Sequence, residues 1–276
     1  MLKVTHSKTE PMLAAMREAA GIAIGVLEMI DAHVRPGITT AALDRLCHDW
    51  IVDHGGVPAC VGYLGYRHAT CISVNDVVCH GIPDGRTLRD GDVLNIDVVV
   101  ERKGMHADTS AMYVAGSPSA DAARLLRVTQ EALYLGIREV RAGKTLGDVG
   151  AAIQAHAKAH GYSVVRDFCG HGIGAAMHEP PQVVHVGQRG AGVRLMPGMT
   201  FTIEPMLNVG GRDVEMLDDG WTVVTHDRTL SAQWEHTVLV TTDGVEVLTL
   251  RPGERVVWDV FATRFTTPPE RPSTPA

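Results

Sequence analysis

The chain has 276 residues, 45% of them hydrophobic, and a formal net charge of -7 with a sequence pI near 6.0. That length allows one large globular domain or two small ones with a buried core. The acidic balance and the lack of a basic run argue against binding to DNA or to an anionic membrane surface, so the expected partners are small molecules or peptides.

The cysteines and the N-terminal residues indicate a cellular compartment. Five cysteines, an odd number with no C-x-x-C pair, are typical of a reducing environment and argue against a disulfide framework or a zinc ribbon. Residues 1–8 lack the apolar centre of a signal peptide, and the most apolar stretch, residues 12–30, carries three charges. The sequence therefore predicts a cytoplasmic protein without a membrane span.

The N-terminal part of the sequence has apolar residues at helical spacing. The pattern predicts a long helix that begins at Pro11 and ends before Pro36, and Thr39 or Thr40 then caps a second helix that ends at about Val52. The apolar positions of the first helix are Leu13, Met16, Ala20, Ile24, Leu27 and Ile30.

Two strands that carry acids follow the helices. After a strand at 71–74, the β-branched run at 94–100 predicts a buried strand with Asp97 inside it, and the strand at 106–114 carries Asp108. A buried carboxylate that stays charged needs a cation, and two that share one place must share a proton or a metal ion.

The second half of the sequence repeats the first. Residues 34–39 resemble residues 140–145 at an offset of 106, and residues 88–97 resemble residues 195–204 at an offset of 107. A duplicated helix-helix-strand-strand unit predicts two halves related by a pseudo-twofold axis, with their strands joined in one curved antiparallel sheet.

The repeat pairs the acids. Asp97 falls on Glu204, and Asp108 falls on Glu235 once about twenty extra residues are placed within 206–233. Any one of these acids alone would be read as a solvated charge or an ion-pair partner. Four at equivalent positions of two copies instead predict a shared site on the axis.

The expected organisation is one α+β domain over residues 1–252. Its two copies span about 11–115 and 119–250, and residues 253–276 form a C-terminal extension. The last eleven residues, 266–276, are rich in Pro, Ser and Thr and are expected to be disordered.

A glycine-rich segment at 169–181 supplies one further ligand. It lacks the G-x-G-x-x-G order of a phosphate loop, and Pro180-Pro181 breaks the helix that an H-E-x-x-H zinc motif requires. His171 remains beside the acids. One imidazole with four carboxylates suits two divalent ions of Mn²⁺, Fe²⁺ or Co²⁺ better than a structural zinc.

These motifs together resemble the methionine aminopeptidases of type I, in their short bacterial form. The resemblance runs from about Pro11 to Leu250 and implies the pita-bread fold of that family. The segments that carry it are 79–83, 95–97, 108–110, 170–174, 202–205 and 233–237. The sequence shows neither the helical insertion of type II members nor an N-terminal extension.

The resemblance assigns roles to the metal ligands. It implies that Asp97 binds one ion, that His171 and Glu204 bind the other, and that Asp108 and Glu235 bridge both. Glu204 would also accept the proton of the attacking water.

Two histidines outside the ligand set also match the family. The resemblance implies that His178 hydrogen-bonds the substrate carbonyl and the tetrahedral intermediate, and that His80 contacts the scissile amide. On the residues alone, either could be a loop histidine satisfied by the backbone.

The resemblance further implies a pocket for the methionine side chain. Its lining would be Cys60, Tyr63, Tyr66, Cys71, Met177 and Trp221. Met177 departs from the family, in which Phe is common, and a thioether is more pliable than a ring. Asn75, Val77 and Ser231 match positions where relatives can hold a monovalent cation.

The implied activity is hydrolytic removal of an N-terminal Met from nascent chains whose second residue is small. A monomer with transient contact to the ribosome is the expected working form. Two alternatives remain open on the sequence: an X-Pro aminopeptidase on the same fold, which usually carries an additional N-terminal domain, and a binding protein that kept the fold without the chemistry.

Overall fold

The structure, a computed structural model in which residues 7–252 and 254 are described, has four α-helices packed against antiparallel sheets. The helices are α1 (Glu10–Asp31), α2 (Thr40–Asp53), α3 (Ala120–Arg138) and α4 (Leu146–Ala159). The strands are β1 (Val57–Pro58), β2 (Thr70–Val74), β3 (Val77–Cys79), β4 (Val93–Arg102), β5 (Met105–Val114), β6 (Ser163–Val164), β7 (Gly170–Gly172), β8 (Glu179–Val183), β9 (Thr200–Ile203), β10 (Met206–Asn208), β11 (Val214–Met216), β12 (Val223–Thr225), β13 (Ser231–Gln233), β14 (Glu235–Val240) and β15 (Val245–Val247).

The largest sheet has nine strands in the order β1-β4-β5-β14-β9-β7-β8, with β2 added on β4 and β15 on β14. Two sheets of three strands, β13-β10-β6 and β11-β12-β3, lie beside it. All of these pairings are antiparallel. The predicted α+β class and antiparallel sheet are therefore observed.

The duplication is visible in backbone hydrogen bonds. Gly37 donates to the carbonyl of Leu88, and Gly143 donates to the carbonyl of Leu195, which are the same bond displaced by 106 and 107 residues. The first copy consists of α1, α2, β4 and β5, and the second of α3, α4, β9 and β14. Pairing of β5 with β14, with Glu235 opposite Ser110, joins the copies into one sheet.

The extra residues of the second copy form a substructure of their own. In the first copy β4 and β5 are joined by the short turn at Lys103 and Gly104, whereas β10 to β13 all lie between β9 and β14. The insertion predicted within 206–233 is thus folded into strands, and the β11–β12 hairpin pairs with β3 of the first copy.

The element boundaries differ slightly from the sequence-based prediction. The first helix begins at Glu10, one residue before Pro11, because Pro needs no hydrogen-bond acceptor in a first helical turn. The strands that carry the acids reach further than the apolar run because polar residues at their ends, such as Glu101, still pair with the neighbouring strand.

Two large hydrophobic clusters form most of the core of the described residues, each centred on the helices of one copy. The predicted apolar face of α1 is buried against β4 and β5, and α3 with α4 covers β9 and β13. Trp234 packs against both clusters and donates its indole N–H to the carbonyl of Leu126. Within residues 7–252 and 254, no helix is both long enough and apolar enough to span a bilayer.

The extension expected at 253–276 lies outside the described residues except for Glu254. That carboxylate is buried, accepts hydrogen bonds from Tyr134 and Arg251, and lies 3.4 Å from His236. His236 and Arg251 hold the pKa of Glu254 far below its usual value against the opposing effect of burial. The chain is therefore anchored to the second copy at this point.

The two copies use the same device to start their second helix. Thr39 accepts a hydrogen bond from the N–H of Ala42, and Thr145 accepts one from the N–H of Asp148. Asp148 returns the bond by accepting from the N–H of Thr145 at 2.9 Å, which completes a capping box.

We expect Thr145→Ala to lower the free energy of unfolding by about 1 kcal/mol, because it leaves an N–H at the start of α4 without its acceptor. Urea denaturation followed by circular dichroism measures the change. Thr145→Ser keeps the oxygen and should retain most of the stability; an unchanged midpoint in the alanine variant would contradict the capping role.

Candidate metal and substrate site

Strand pairing in the first copy brings its two acids together. The register places Asp97 opposite Ser110 and Val99 opposite Asp108, so the acids lie diagonally across β4 and β5 on one face of the sheet. Asp108 is buried, Asp97 is partly buried, and both line the same cavity.

The second copy supplies its acids from the neighbouring strands. Glu204 directly follows β9, and Glu235 is the first residue of β14. Since His236 pairs with Ile203, the two glutamates are neighbours across these strands. The β5–β14 pairing then places Glu235 beside the acids of the first copy.

His171, in the middle of β7, completes the cluster. Its Nε2 lies 3.7 Å from Oδ2 of Asp108 and 3.6 Å from Oε1 of Glu204. A ring nitrogen of His171 and carboxylate oxygens of Asp108 and Glu235 all lie within 4.8 Å of one another. The Nδ1–H of His171 donates to the carbonyl of Gly172 at 3.1 Å, which leaves the lone pair of Nε2 free for a ligand.

The electrostatics of the cluster are unfavourable without cations. Burial, reinforced by the charge of Asp97, raises the pKa of Glu204 to about 8, and burial raises that of Asp97 to about 6. Burial and the neighbouring acids also raise the pKa of Asp108 and of Glu235 well above the usual range. No Lys or Arg of the described chain lines the cavity that these acids face.

The donor set fits divalent metal ions. Oδ1 of Asp97 and Oδ1 of Asp108 are buried and accept no hydrogen bond within the described structure. A buried carboxylate oxygen without a donor is costly unless it binds a cation. Burial lowers the pKa of His171 to about 4, so its ring is neutral at pH 7, as metal ligation requires.

Neighbouring side chains fix the orientation of Glu204. Thr202 donates to Oε1 at 2.8 Å, and Gln233 donates to Oε2 at 3.2 Å. The N–H of Glu204 donates to Nε2 of His185, whose pKa burial lowers to about 3. Thr202 and Gln233 lie in two of the segments that carry the family resemblance, at 202–205 and 233–237, whereas no sequence pattern indicates His185.

The cluster forms one side of a cavity of about 570 Å³. All of the residues predicted for the methionine pocket line it, and Cys60, Tyr66, Cys71 and Met177 form a buried apolar group with Val99. Tyr66 packs against Trp221, with ring centroids 4.8 Å apart. Lining residues that the sequence did not indicate include Leu64, Cys79, Val99, Phe168, Gln182 and Met206.

The two histidines outside the ligand set also line this cavity. The ring of His178 lies 4.2 Å from that of His171, and the ring of His80 lies 5.4 Å from that of Phe168. Burial, reinforced by His178, lowers the pKa of His80 to about 4, and burial with nearby His106 lowers the pKa of His178. Each neutral ring keeps one N–H that can donate to a ligand in the cavity.

The residues predicted to hold a monovalent cation lie close together but do not line this cavity. The N–H of Ser231 donates to the carbonyl of Asn75 at 2.9 Å, and Val77 begins β3 two residues later. The side chain of Asn75 is bonded to Asp92. The cation itself stays a prediction.

Comparisons with known proteins are consistent with this site. The family model described as "Metallopeptidase family M24" matches residues 14–242. The protein named methionine aminopeptidase of Escherichia coli K12 is 53% identical over 251 residues, which cover 90% of this chain and 95% of that protein.

Solved structures agree on the fold. The crystal structure of methionine aminopeptidase from Rickettsia prowazekii superposes with a TM-score of 0.88 at 46% identity, covering 90% of this chain and all of that one. A prolidase from Pyrococcus furiosus has a TM-score of 0.72 at 20% identity, covering 89% of this chain and 66% of that one. The pita-bread fold predicted from the sequence is confirmed.

The raised acid pKa values predict how the metal-free protein responds to pH. The pKa of Glu204 is higher in the folded than in the unfolded chain. Its stabilising contribution is therefore fully present below pH 4 and is lost as the pH rises through 8. Gln carries no charge at any of these pH values. As the pH rises from 5 to 8.5, we therefore expect the free energy of unfolding of Glu204→Gln to increase, relative to that of the unsubstituted protein, by at least about 1.4 kcal/mol, the equivalent of one pKa unit.

Chemical denaturation in the presence of a chelator, at several pH values, measures this difference. Glu28→Gln, on the exposed side of α1, is the matched control and should follow the unsubstituted protein. A pH-independent difference between Glu204→Gln and the unsubstituted chain would show that Glu204 does not carry the buried charge.

Proposed function

Because the chain belongs to metallopeptidase family M24 and, within it, to the methionine aminopeptidases, we propose that its five clustered ligands hold two divalent ions and that substrates have a small second residue. The enzyme is a metal-dependent aminopeptidase that removes N-terminal methionine. The observation that carries the proposal is the joining of four acids and one imidazole to an apolar cavity in a single site.

The ligands divide between two positions. Asp97 would hold one ion, His171 and Glu204 would hold the other, and Asp108 and Glu235 would contribute to both. The closeness of His171 Nε2 to Glu204 and to Asp108, and the diagonal placement of Asp97 beside Asp108, support this division. When bound, the ions lower the pKa of a water nucleophile and polarise the scissile carbonyl. Co²⁺, Mn²⁺ and Fe²⁺ all suit the donor set.

The apolar part of the cavity receives the methionine side chain. Cys60 and Cys71 are buried there, and the interaction with Cys71, together with burial, raises the pKa of the Cys60 thiol, so that thiol stays neutral. Tyr66 and Trp221 offer ring faces and edges, which make favourable contacts with a thioether sulfur. Met177 closes the pocket beside them. Such a lining favours an unbranched apolar side chain over a charged one.

Glu204 accepts the proton of the attacking water. The hydrogen bonds from Thr202 and Gln233 orient its two oxygens, and the carboxylate accepts the proton in its ionised form. The same carboxylate then delivers the proton to the departing amine, which leaves Glu204 ready for the next turnover.

The neutral histidines act on the peptide bond itself. His178 donates its N–H to the carbonyl oxygen as negative charge develops there, and His80 contacts the scissile amide nitrogen. Support comes from their position on the cavity wall, where His178 adjoins His171 and His80 packs edge-on against Phe168 and Trp221.

The alternative X-Pro activity has weaker support. The likeness to the prolidase, at 20% identity, extends to the fold alone. A binding protein without chemistry would not need the complete ligand set that surrounds this cavity.

Further parts of the proposal concern the working form of the enzyme. It is one catalytic domain over residues 1–252, monomeric and cytoplasmic, and it contacts the ribosome transiently because its substrates are nascent chains. A monovalent cation bound near Asn75, Val77 and Ser231 supports the turn between β2 and β3. Sedimentation of the enzyme alone tests the monomeric state, and sedimentation with ribosomes tests the transient contact.

Peptide hydrolysis tests the activity and its size rule. With Co²⁺ or Mn²⁺ restored to the chelated enzyme, we expect release of Met from Met-Ala-Ser, little release from Met-Leu-Ser, and no cleavage of Ala-Pro. Glu204→Ala should abolish turnover because it removes both a ligand and the proton acceptor. Equal rates for the two Met peptides would refute the size rule, and faster cleavage of Ala-Pro would favour the alternative.

His178→Ala should lower kcat by about 10²- to 10³-fold, the usual effect of removing one donor to a developing oxyanion, with a smaller change in KM. Steady-state kinetics and metal analysis of the same sample measure both. His54→Ala, an exposed histidine after α2, is the control and should leave kcat and metal content unchanged. Loss of bound metal from the His178 variant would instead make it a ligand.

A further inference from the structure

A second group of metal-ligating side chains lies on the helices of the second copy, outside the catalytic cavity. It consists of Glu131 on α3, His156 in the last turn of α4 and His160 at the C-terminal end of α4. One ring nitrogen of each histidine and one oxygen of Glu131 all lie within 4.8 Å of one another. All three residues are partly exposed.

The local geometry favours chelation. His156 and His160 are four residues apart, so their side chains share one face of the helix, and their ring centroids are 4.3 Å apart. Nε2 of His156 lies 2.9 Å from Oε2 of Glu131. Two ligand atoms on a tetrahedral zinc ion are about 3.3 Å apart, given bonds of about 2.0 Å, so only small side-chain shifts are needed.

The hydrogen bonds around the cluster leave ligand atoms available. Nδ1–H of His160 donates to the carbonyl of His156 at 3.0 Å, which fixes the ring and leaves the lone pair of Nε2 free. Arg127 holds Oε1 of Glu131 at 2.6 Å and leaves Oε2 facing His156. His156 would bind by its Nε2, with its single proton then on Nδ1, so no net proton transfer is required.

The first copy shows that the fold does not demand these side chains. At an offset of 106, Glu131, His156 and His160 correspond to Gly25, Trp50 and His54. There Trp50 stacks on His54 with ring centroids 4.0 Å apart, and a Cβ on Gly25 would lie 2.9 Å from the indole nitrogen.

In the first copy, α1 and α2 therefore pack around the indole ring of Trp50 and the bare backbone of Gly25. In the other copy, every one of the three places carries a group that can bind a metal. Packing alone explains the first arrangement, and it gives no reason for three converging ligands in the second.

We propose that Glu131, His156 and His160 form a second metal site that binds Zn²⁺, distinct from the catalytic centre, and that links α3 to α4. Two imidazoles and one carboxylate are a ligand set that zinc accepts, with water in the fourth position. Burial lowers the pKa of His156, which keeps the ring neutral as zinc requires. The ion pair with Arg127 offsets part of the charge of Glu131 and moderates the affinity.

Zinc binding by the metal-loaded enzyme tests this site. The holoenzyme and its variants are dialysed against rising free Zn²⁺, and bound zinc is counted by atomic emission. We expect the unsubstituted enzyme to bind one ion more than His156→Ala and His160→Ala, since ions in the catalytic centre contribute equally to all samples. Glu131→Gln, which is nearly isosteric, should bind the extra ion more weakly.

His54→Ala is the matched control because it removes the equivalent histidine of the first copy and should retain the extra ion. Zinc should also raise the thermal midpoint of the unsubstituted enzyme more than that of His156→Ala, while Met-Ala-Ser hydrolysis stays equal in both. Equal zinc counts in the unsubstituted enzyme, His156→Ala and Glu131→Gln would overturn the proposal. Loss of the extra ion from His54→Ala as well would also overturn it.

Discussion

Negative charge concentrated where the two copies meet is the constraint on which the structure depends. Four carboxylates share a cavity that no Lys or Arg of the described chain lines, and two of their buried oxygens have no hydrogen-bond donor. Burial raises the acids' pKa values, so a metal-free site must hold protons in place of ions. Protons and metals therefore compete for the same oxygens, and the affinity for ions rises with pH as the acids lose their protons.

Duplication places the acids, whereas the insertion shapes the pocket. The β5–β14 pairing fixes the distance between the copies, and hydrogen-bonded strand registers fix the acids within each copy. The strands β10 to β13 have no counterpart in the first copy, and they carry Trp221 and Gln233 to the cavity. The symmetric part of the fold thus provides the cluster of acids, and the asymmetric part provides one wall of the cavity and a donor to Glu204.

The parts of the site that repeat in the sequence, or that lie within a local sequence pattern, can be predicted from the sequence. The equivalence of Asp97 with Glu204 followed from a fixed offset, and His171 from a glycine-rich segment that fitted no other motif. Roles that depend on packing between residues far apart in the sequence cannot be predicted from such patterns. His185 accepts from the backbone of Glu204, and Phe168 packs against His80, which is 88 residues away in sequence. No local pattern encodes such contacts because they form only when segments far apart in the sequence pack together.

Besides the insertion, the two copies differ in the side chains of their helix pairs. Where β5 pairs with β14, the acids of the two copies lie close enough for the charge of one to raise the pKa of another. On the helix pairs, Trp50 and His156 occupy equivalent places, yet one stacks in an apolar contact and the other bonds Glu131. The indole N–H of Trp50 is buried without an acceptor, which shows that the position tolerates imperfect polar matching. A position under such weak constraint can acquire ligands without disturbing the catalytic centre, because the backbone bonds that place that centre lie elsewhere in the fold.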